Sequence, residues 1–249
     1  MISKCKVSVV IPVYNRANTV LPAINSVLQQ SHSDIELIIV DDCSSDDSVE
    51  VIKKIKDHRV KLVELKVNVG ACEARNIGIT HSTGSLIAFN DSDDLWHSNK
   101  LEKQISCLMN KKADVVFCSY QRVCESGTKV FPKKKISGNF VKYNAFLKHS
   151  LASTQTLLCK REVFEKEMFD SEILRFQDWE FMLRVSKLGT DIFFMDEVLV
   201  DVYLQENSIS KDKKKGIKSL FSIFLKNKQG FLLSPKAFLL IIWKFLRLL

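Results

Sequence analysis

The chain has 249 residues, enough for one large domain or a domain with an appendage. With 46% hydrophobic and 27% charged residues and few Gly and Pro, it is neither a disordered nor a fibrous chain. The net charge of +8 is uneven: Lys211 to Leu249 holds ten Lys and Arg against a single acid, Asp212, hence about +9, whereas 27 basic and 28 acidic residues leave the remainder near −1. A near-neutral domain with a cationic tail points to a local anionic partner, either a membrane or a nucleic acid.

The elements alternate through the first half. "KVSVVIPV" (Lys6–Val13) is a β-branched, apolar strand. "NTVLPAINSVLQQ" places Val20, Leu21, Ile24, Val27 and Leu28 at helical spacing, with Pro22 in the first turn, where a missing N–H costs little. "IELIIV" (Ile35–Val40) is a second strand and runs into Asp41-Asp42. "SSDDSVEVIKKIK" opens a helix in which Ser44 and Asp47 resemble a capping box. "VKLVEL" is a third strand, "GACEARNIGITHS" a helix entered after Gly70, "SLIAF" a fourth strand, "NKLEKQISCLMN" a helix and "ADVVFCSY" a fifth strand.

The second half is less regular. "TKVFPKKKISGNF" reads as a hairpin or mobile loop, and "STQTLLCKREVFEKE" as a short strand and a helix. "FQDWEFMLRVSKLG" is a helix that starts near Asp178 and ends at Gly189, and "DIFFMDEVLVDVYL" reads as two short strands. We expect an α/β fold with a doubly wound, mostly parallel central sheet and helices on both faces. The expected domain covers residues 1–210, and a basic amphipathic tail covers 211–249.

Ligands of such sheets sit beyond the carboxyl ends of the strands. Tyr14-Asn15, Asp41-Asp42 and Asn90-Asp91-Ser92-Asp93 lie there and should converge on one cleft. No GxGxxG or Walker pattern is present, which weakens dinucleotide and P-loop readings. Crowded carboxylates at a strand end are tolerable when a divalent cation neutralises them; Mg²⁺ or Mn²⁺ would suit, each keeping waters and substrate phosphates. In an extended chain Asp91 and Asp93 project to the same side. The alternative is that these acids cap and favour the N-terminus of the following helix.

Taken together, "VSVVIPVYNRANTVLPAINSVLQQ", "ELIIVDDCSSDDS", "NVGACEARNIGI", "GSLIAFNDSDDLW" and "RFQDWEFMLRVSKLG" resemble the inverting nucleotide-sugar glycosyltransferases of family two, which have the GT-A fold. The resemblance runs in the family's order over roughly Lys6 to Tyr203. It implies that Pro12 and Tyr14 border a uridine base and that Asp42 accepts from the base N3–H. It also implies that Arg75 lies near the diphosphate, Asp91 on the ribose side, Asp93 on a Mn²⁺ or Mg²⁺ ion, and that Asp178 is the catalytic base. Each has a structural alternative: Tyr14 as a core aromatic, Asp42 as a cap for the helix after it, Arg75 as a surface helix residue, and Asp178 as the N-cap of "WEFMLRVSK". Asp94 and Glu180 read as supporting residues. Many relatives carry Glu-Asp where this chain has Gln177-Asp178, and a Tyr-Arg-x-His-type segment where this chain has Leu204, Gln205 and Glu206. The QxxRW signature of processive polymerases is absent, so one sugar per encounter is expected.

The implied reaction moves one sugar from a nucleoside diphosphate donor, with UDP favoured, to a glycan or lipid-linked acceptor with inversion, in bacterial surface polysaccharide or lipopolysaccharide assembly. A catalytically silent nucleotide-sugar-binding or membrane scaffold and a nucleotidyltransferase are the alternatives. In the tail, "GIKSLFSIFLKNKQ" puts Ile217, Leu220, Phe221, Phe224 and Leu225 on one face. "KAFLLIIWKFLRLL" is apolar except for a stripe of Lys236, Lys244 and Arg247, suited to the interface of an anionic membrane with its cations at the headgroups. The alternatives are packing on the domain or on a partner; no nucleic-acid recognition module is visible. No segment reaches the ~20 apolar residues of a membrane span. The start of the sequence lacks a signal-peptide h-region. Seven Cys without CxxC pairs read as reduced thiols. These features suggest a cytoplasmic protein, peripheral on the inner face of the membrane.

Overall fold

The computed structural model describes residues 5–124, 127–133, 140–203 and 212–248. Strands β1 (Val7–Val13), β2 (Ile35–Asp41), β3 (Val60–Glu64) and β4 (Leu86–Phe89) pair in parallel in the order β3-β2-β1-β4. They are joined by helices α1 (Val20–Leu28), α2 (Ser48–Lys53) and α3 (Ala71–Thr80). β2 is buried throughout and β1 nearly so, hence their unbroken apolar runs. Successive β1 residues serve opposite faces: Val10 joins one core cluster, and Val9 and Ile11 the other.

The sheet continues β4-β8-β6-β9-β5 with mixed polarity, where β5 is Leu95–Trp96, β6 Val115–Cys124, β8 Leu157–Lys160 and β9 Ile192–Tyr203. β8 is antiparallel to β4 and β6, β5 is antiparallel to β9, and β9 is parallel to β6. The doubly wound, parallel half carries the acidic strand ends. β7 (Gly127–Phe131) forms a hairpin with β6; residues 134–139 of the expected loop lie outside the described residues.

Two local expectations change. The "two short strands" of residues 191–204 are one strand, β9: its pairing steps from Cys118↔Met195 to Ser119↔Val198, so Asp196 and Glu197 are absorbed as a bulge. The capping box at Ser44 does not form. α2 starts at Ser48 with no side-chain cap, because Ser44 Oγ accepts instead from the Asn15 N–H at 3.0 Å.

Helix α4 (Lys100–Lys111) covers one face with α1. On the other face, α3, α5 (Tyr143–Lys148), α6 (Arg161–Lys166) and α7 (Gln177–Lys187) pack with the tail helices α8 (Lys213–Lys226), α9 (Lys228–Leu232) and α10 (Pro235–Leu246). Leu220, Ile223, Phe231, Ala237 and Ile241 share that core with Trp179 and Phe146. The tail therefore packs on the sheet's own core. The expected apolar face of α8 is divided: Leu220 is buried, whereas Phe221 and Leu225 point outward. The cationic stripe of α10 divides too. Lys236 and Arg247 are exposed, but Lys244 turns inward, with Nζ 4.8 Å from the Trp179 ring and 5.1 Å from the Phe176 ring. Burial pulls the Lys244 pKa down; Asp178 is the charge that favours its protonated form.

Candidate active site

β4 ends at Phe89, opposite Val10, so β1 runs on past it. Pro12 lies in that overhang, and its missing N–H has no β4 partner to fail. The step opens a cleft of about 600 Å³ at the strand carboxyl ends. Pro12, Tyr14, Asp42, Asp91, Asp93 and Asp178 all line it.

The loop after β1 is held by side chains that follow β2. Ser44 Oγ, Ser48 Oγ and Asp46 Oδ2 accept from the N–H groups of Asn15, Arg16 and Ala17 at 3.0, 2.7 and 3.0 Å. Asn15 and Cys43 adopt φ of 51° and 63°, unusual for non-glycine residues. This bracing presents Tyr14 to the cleft with 47% of its surface exposed, so it is not a core aromatic.

Asp42 does not cap α2. Its two oxygens accept from the Val69 and Gly70 N–H groups at 2.7 and 2.8 Å, which fixes the loop before α3. Each oxygen keeps a second lone pair. Burial raises the Asp42 pKa, opposed by these two hydrogen bonds.

Residues 91–94 form a turn and not the expected extended chain, because the Asp94 N–H donates to the Asp91 carbonyl at 3.2 Å; Asp91 and Asp93 still line the cleft, and Asp94 is buried. Asp94 accepts from Gln155 Nε2 and from the Tyr203 N–H, in a supporting position. α4 begins at Lys100 after Asn99, so the acids do not cap it. Asp93 is pushed up to about 6, first by burial and then by the charge of Asp91, with Arg16 at 3.7 Å opposing. A carboxylate so placed gains from an added positive charge.

Among the described residues no group of three His, Cys, Asp or Glu side chains is arranged to hold a metal. A hard cation at Asp93 would draw its other ligands from substrate oxygens and water, the coordination Mg²⁺ and Mn²⁺ favour. The donor set fits a cation that arrives with a diphosphate.

Arg75 is not a surface residue; it is 5% exposed and lies behind the cleft wall. Its guanidinium donates to Asp91 Oδ1 at 2.7 Å and to Gln177 Oε1 at 2.8 Å. It thereby ties the acidic strand end to the first residue of α7. Asp178 sits one residue further, inside the helix and not at its N-cap, which is Phe176 with φ of 63°. Asp178 Oδ1 accepts from the Trp179 N–H at 2.7 Å. Burial raises the Asp178 pKa; that hydrogen bond and the charges of Arg75 and Lys244 oppose the shift. Glu180 is buried and paired with Arg184 at 2.7 Å, a structural role.

Residues the sequence did not single out also line the cleft, among them Arg16, Asn68, Thr154, Arg175 and Lys215. Arg16 was within reach of the strand-end rule. Lys215 was not, because it belongs to the tail. The segment Leu204–Glu206, which stands where many relatives carry Arg and His, and the expected boundary between residues 210 and 211 lie outside the described residues.

A cleft of this make-up, at the carboxyl ends of a doubly wound sheet, places the protein among the GT-A folds. The structure of S. aureus TarS 1-349 in complex with UDP-GlcNAc matches with a TM-score of 0.75 at 20% identity, over 89% of this chain and 66% of that one. The mannosyltransferase PcManGT from Pyrobaculum calidifontis, in complex with GDP-Man and Mn2+, matches with a TM-score of 0.71 at 18% identity, over 97% and 72% of the two chains. The sequence profile of Glycosyl transferase family 2 matches residues 8–171, and the chain belongs to that family. It is 33% identical to the Bacillus subtilis (strain 168) putative teichuronic acid biosynthesis glycosyltransferase TuaG, over 88% of this chain and 86% of that one. It is 30% identical to the Escherichia coli UDP-Glc:alpha-D-GlcNAc-diphosphoundecaprenol beta-1,3-glucosyltransferase WfgD, over 87% and 84%.

Proposed function

We propose that the protein transfers one hexosyl or N-acetylhexosaminyl residue from a nucleoside diphosphate sugar to a hydroxyl of a glycan or lipid-linked acceptor. Transfer would proceed with inversion, in bacterial surface polysaccharide or lipopolysaccharide assembly. One observation carries the reading: Asp93 and Asp178, from distant segments, open onto the same cleft. The relatives' names supply the assembly context and the lipid-linked acceptor class.

In this reading the base stacks on the Tyr14 ring beside Pro12, and Asp42 accepts its N3–H through a free lone pair. That selects uracil, or thymine, which offers the same donor; the UDP-GlcNAc bound by TarS favours UDP. Asp91, fixed by Arg75, faces the ribose, and Asp93 would hold Mn²⁺ or Mg²⁺. When bound, the cation offsets the charge that builds on the departing diphosphate. Asp178 takes the proton of the acceptor hydroxyl as that oxygen attacks the anomeric carbon opposite the leaving group. Such base catalysis contributes ~10²–10⁴ in rate, roughly 3–5 kcal/mol of barrier. One displacement inverts the anomeric centre.

Asp178→Asn tests the assignment. Calorimetry with UDP-, dTDP- and GDP-sugars, with and without Mn²⁺, should show cation-linked donor binding that the variant keeps while it loses turnover. Equal turnover, or no cation-linked binding of any donor, defeats it; a scaffold would bind without turning over.

We further propose that residues 211–249 hold the protein on the inner face of the cytoplasmic membrane. Phe221, Leu225, Leu232, Leu233, Leu239 and Trp243 are exposed on the tail helices, Leu233 at 85%. No helix among the described residues is long and apolar enough to cross a membrane, so the contact would be interfacial.

A further inference from the structure

The cleft carries charges of both signs. Its acids gather at the strand ends, where Arg16 and Arg75 are already engaged with Asp93 and Asp91. The cleft lining that includes Asp178 also carries cations: Arg175 and Lys215 line it, and Lys244 lies against Trp179. The tail helices supply two of these three cations.

Arg175 is half-buried, and no carboxylate among the described residues pairs with it. One guanidinium nitrogen donates to the carbonyl of Asp212 at 3.3 Å, and the group lies 4.8 Å from the Phe176 ring. Burial works against the Arg175 charge and the Asp212 carboxylate, beyond ion-pair distance, only partly offsets this, so an arriving anion would favour the charged guanidinium. Lys215 pairs with the same Asp212 carboxylate at 3.8 Å, so among the described residues one acid serves both cations. Gly216 keeps α8 against Arg175: a Cβ there would stand 2.9 Å from its guanidinium nitrogen.

The helices that build this cationic wall carry the exposed apolar residues on their outer faces. An anion that meets the wall while its carrier meets those faces is the diphosphate of a lipid. We infer that Arg175 and Lys215 form the acceptor subsite of the cleft, holding the diphosphate of a polyprenyl-type lipid whose sugar presents its hydroxyl to Asp178. This rests on the glycosyltransferase reading above and adds to it the residues that hold the acceptor, through its diphosphate.

The test uses the full chain with farnesyl diphosphate, farnesol and inorganic diphosphate as calorimetric probes, each with the donor site saturated by UDP and Mn²⁺. Farnesyl diphosphate should bind in the presence of UDP, more tightly than inorganic diphosphate and far more tightly than farnesol. Arg175→Gln and Lys215→Gln should each weaken it by roughly tenfold, as loss of a charge-assisted contact predicts. Arg175→Lys should recover part of the loss. Lys148→Gln/Lys187→Gln, in the separate recess between α5 and α9, should change nothing. Thermal melts confirm that each variant is folded.

Three results would overturn the inference. UDP could abolish farnesyl diphosphate binding, which would assign the cations to the donor. Farnesol or inorganic diphosphate could bind as tightly as farnesyl diphosphate, or the glutamine variants could bind unchanged. UDP and Mn²⁺ uptake is measured first, so a failed donor site is told apart from a failed acceptor subsite.

Discussion

Arg75 joins Asp91 to the first residue of α7: one terminal nitrogen reaches the carboxylate at 2.7 Å and the other reaches Gln177 at 2.8 Å. The acidic strand end and α7 are distant in sequence, and this guanidinium sets their spacing. Arg75→Met should leave the partly buried Asp91 unpaired and lower stability by about 1–3 kcal/mol, less than a fully buried pair would lose because Asp91 is 31% exposed. Arg75→Lys keeps the charge but cannot span both acceptors. It should therefore lose turnover out of proportion to its melting temperature, which melts and kcat together would report.

Lys244 is one of the charges that act on the proposed base. The Asp178 pKa is raised by burial; the Trp179 N–H, then Arg75 and Lys244, pull it back and Asp91 adds to it, while Arg175 and Arg247 in turn press on Lys244. A base must be ionised, so activity should fall on acidification at a higher pH than for an ordinary carboxylate. Lys244→Met removes an opposing charge and should move that acid limb further up; Lys244→Arg should hold it. The pH profile of kcat is the measurement, and an unmoved limb in Lys244→Met would show that Lys244 only packs.

The outer apolar face of the tail should carry the membrane contact. The tail helices share the domain core, so deleting residues 211–249 would unfold more than an anchor. Leu233→Glu/Trp243→Glu should keep the melting temperature, since both residues are exposed, and should abolish flotation with anionic phosphatidylglycerol vesicles. Undiminished flotation would place the contact elsewhere.

Glu36 fastens the far end of the sheet. Ser8 Oγ, the Thr83 N–H and the Gly84 N–H donate to its carboxylate, and Lys6 and Lys61 pair with it. Burial works against its charge, but these partners outweigh burial and hold its pKa well below the usual range. The stability so gained is present above the pKa of an unfolded glutamate and is lost as pH falls towards the depressed value. Glu36→Gln should cost about 1–3 kcal/mol at pH 7. The gap to the parent should narrow in melts taken from pH 5 downwards, with nucleotide binding retained at neutral pH.

Gly78 lets α3 lie close on β1. A Cβ there would stand 2.3 Å from Val10 Cγ1, inside any tolerable contact. Gly78→Ala should destabilise by about 1–3 kcal/mol through overpacking, despite alanine's better helix propensity. Denaturant melts decide it; a stabilised variant would mean that Val10 can yield.

The strands and helices of the first half were legible because β1, β2 and β4 are buried on both faces and their crossover helices on one. Burial of that kind writes itself into local period. The strand-end acids were legible for the same reason, since a parallel sheet gathers its carboxyl ends. The bulge at Asp196-Glu197 was not: a polar pair within an apolar run reads as a turn until the pairing with β6 shows that two extra residues fit. Arg75 was expected near the diphosphate, with a surface position as the alternative; its burial behind the cleft wall was not legible, because its partners, Asp91 and Gln177, lie in other segments.

By itself, then, the sequence determined the alternating elements, the acidic cleft and the amphipathic tail, all patterns repeated within a few residues of one another. Only the tertiary structure decided which neighbour covers each face. It packed the tail on the core around Trp179, turned Lys244 towards Asp178 and away from solvent, and set Arg175 and Lys215 on the cleft wall. A helix carries its own periodicity, but its rotation and partners follow from contacts with segments far away in the chain.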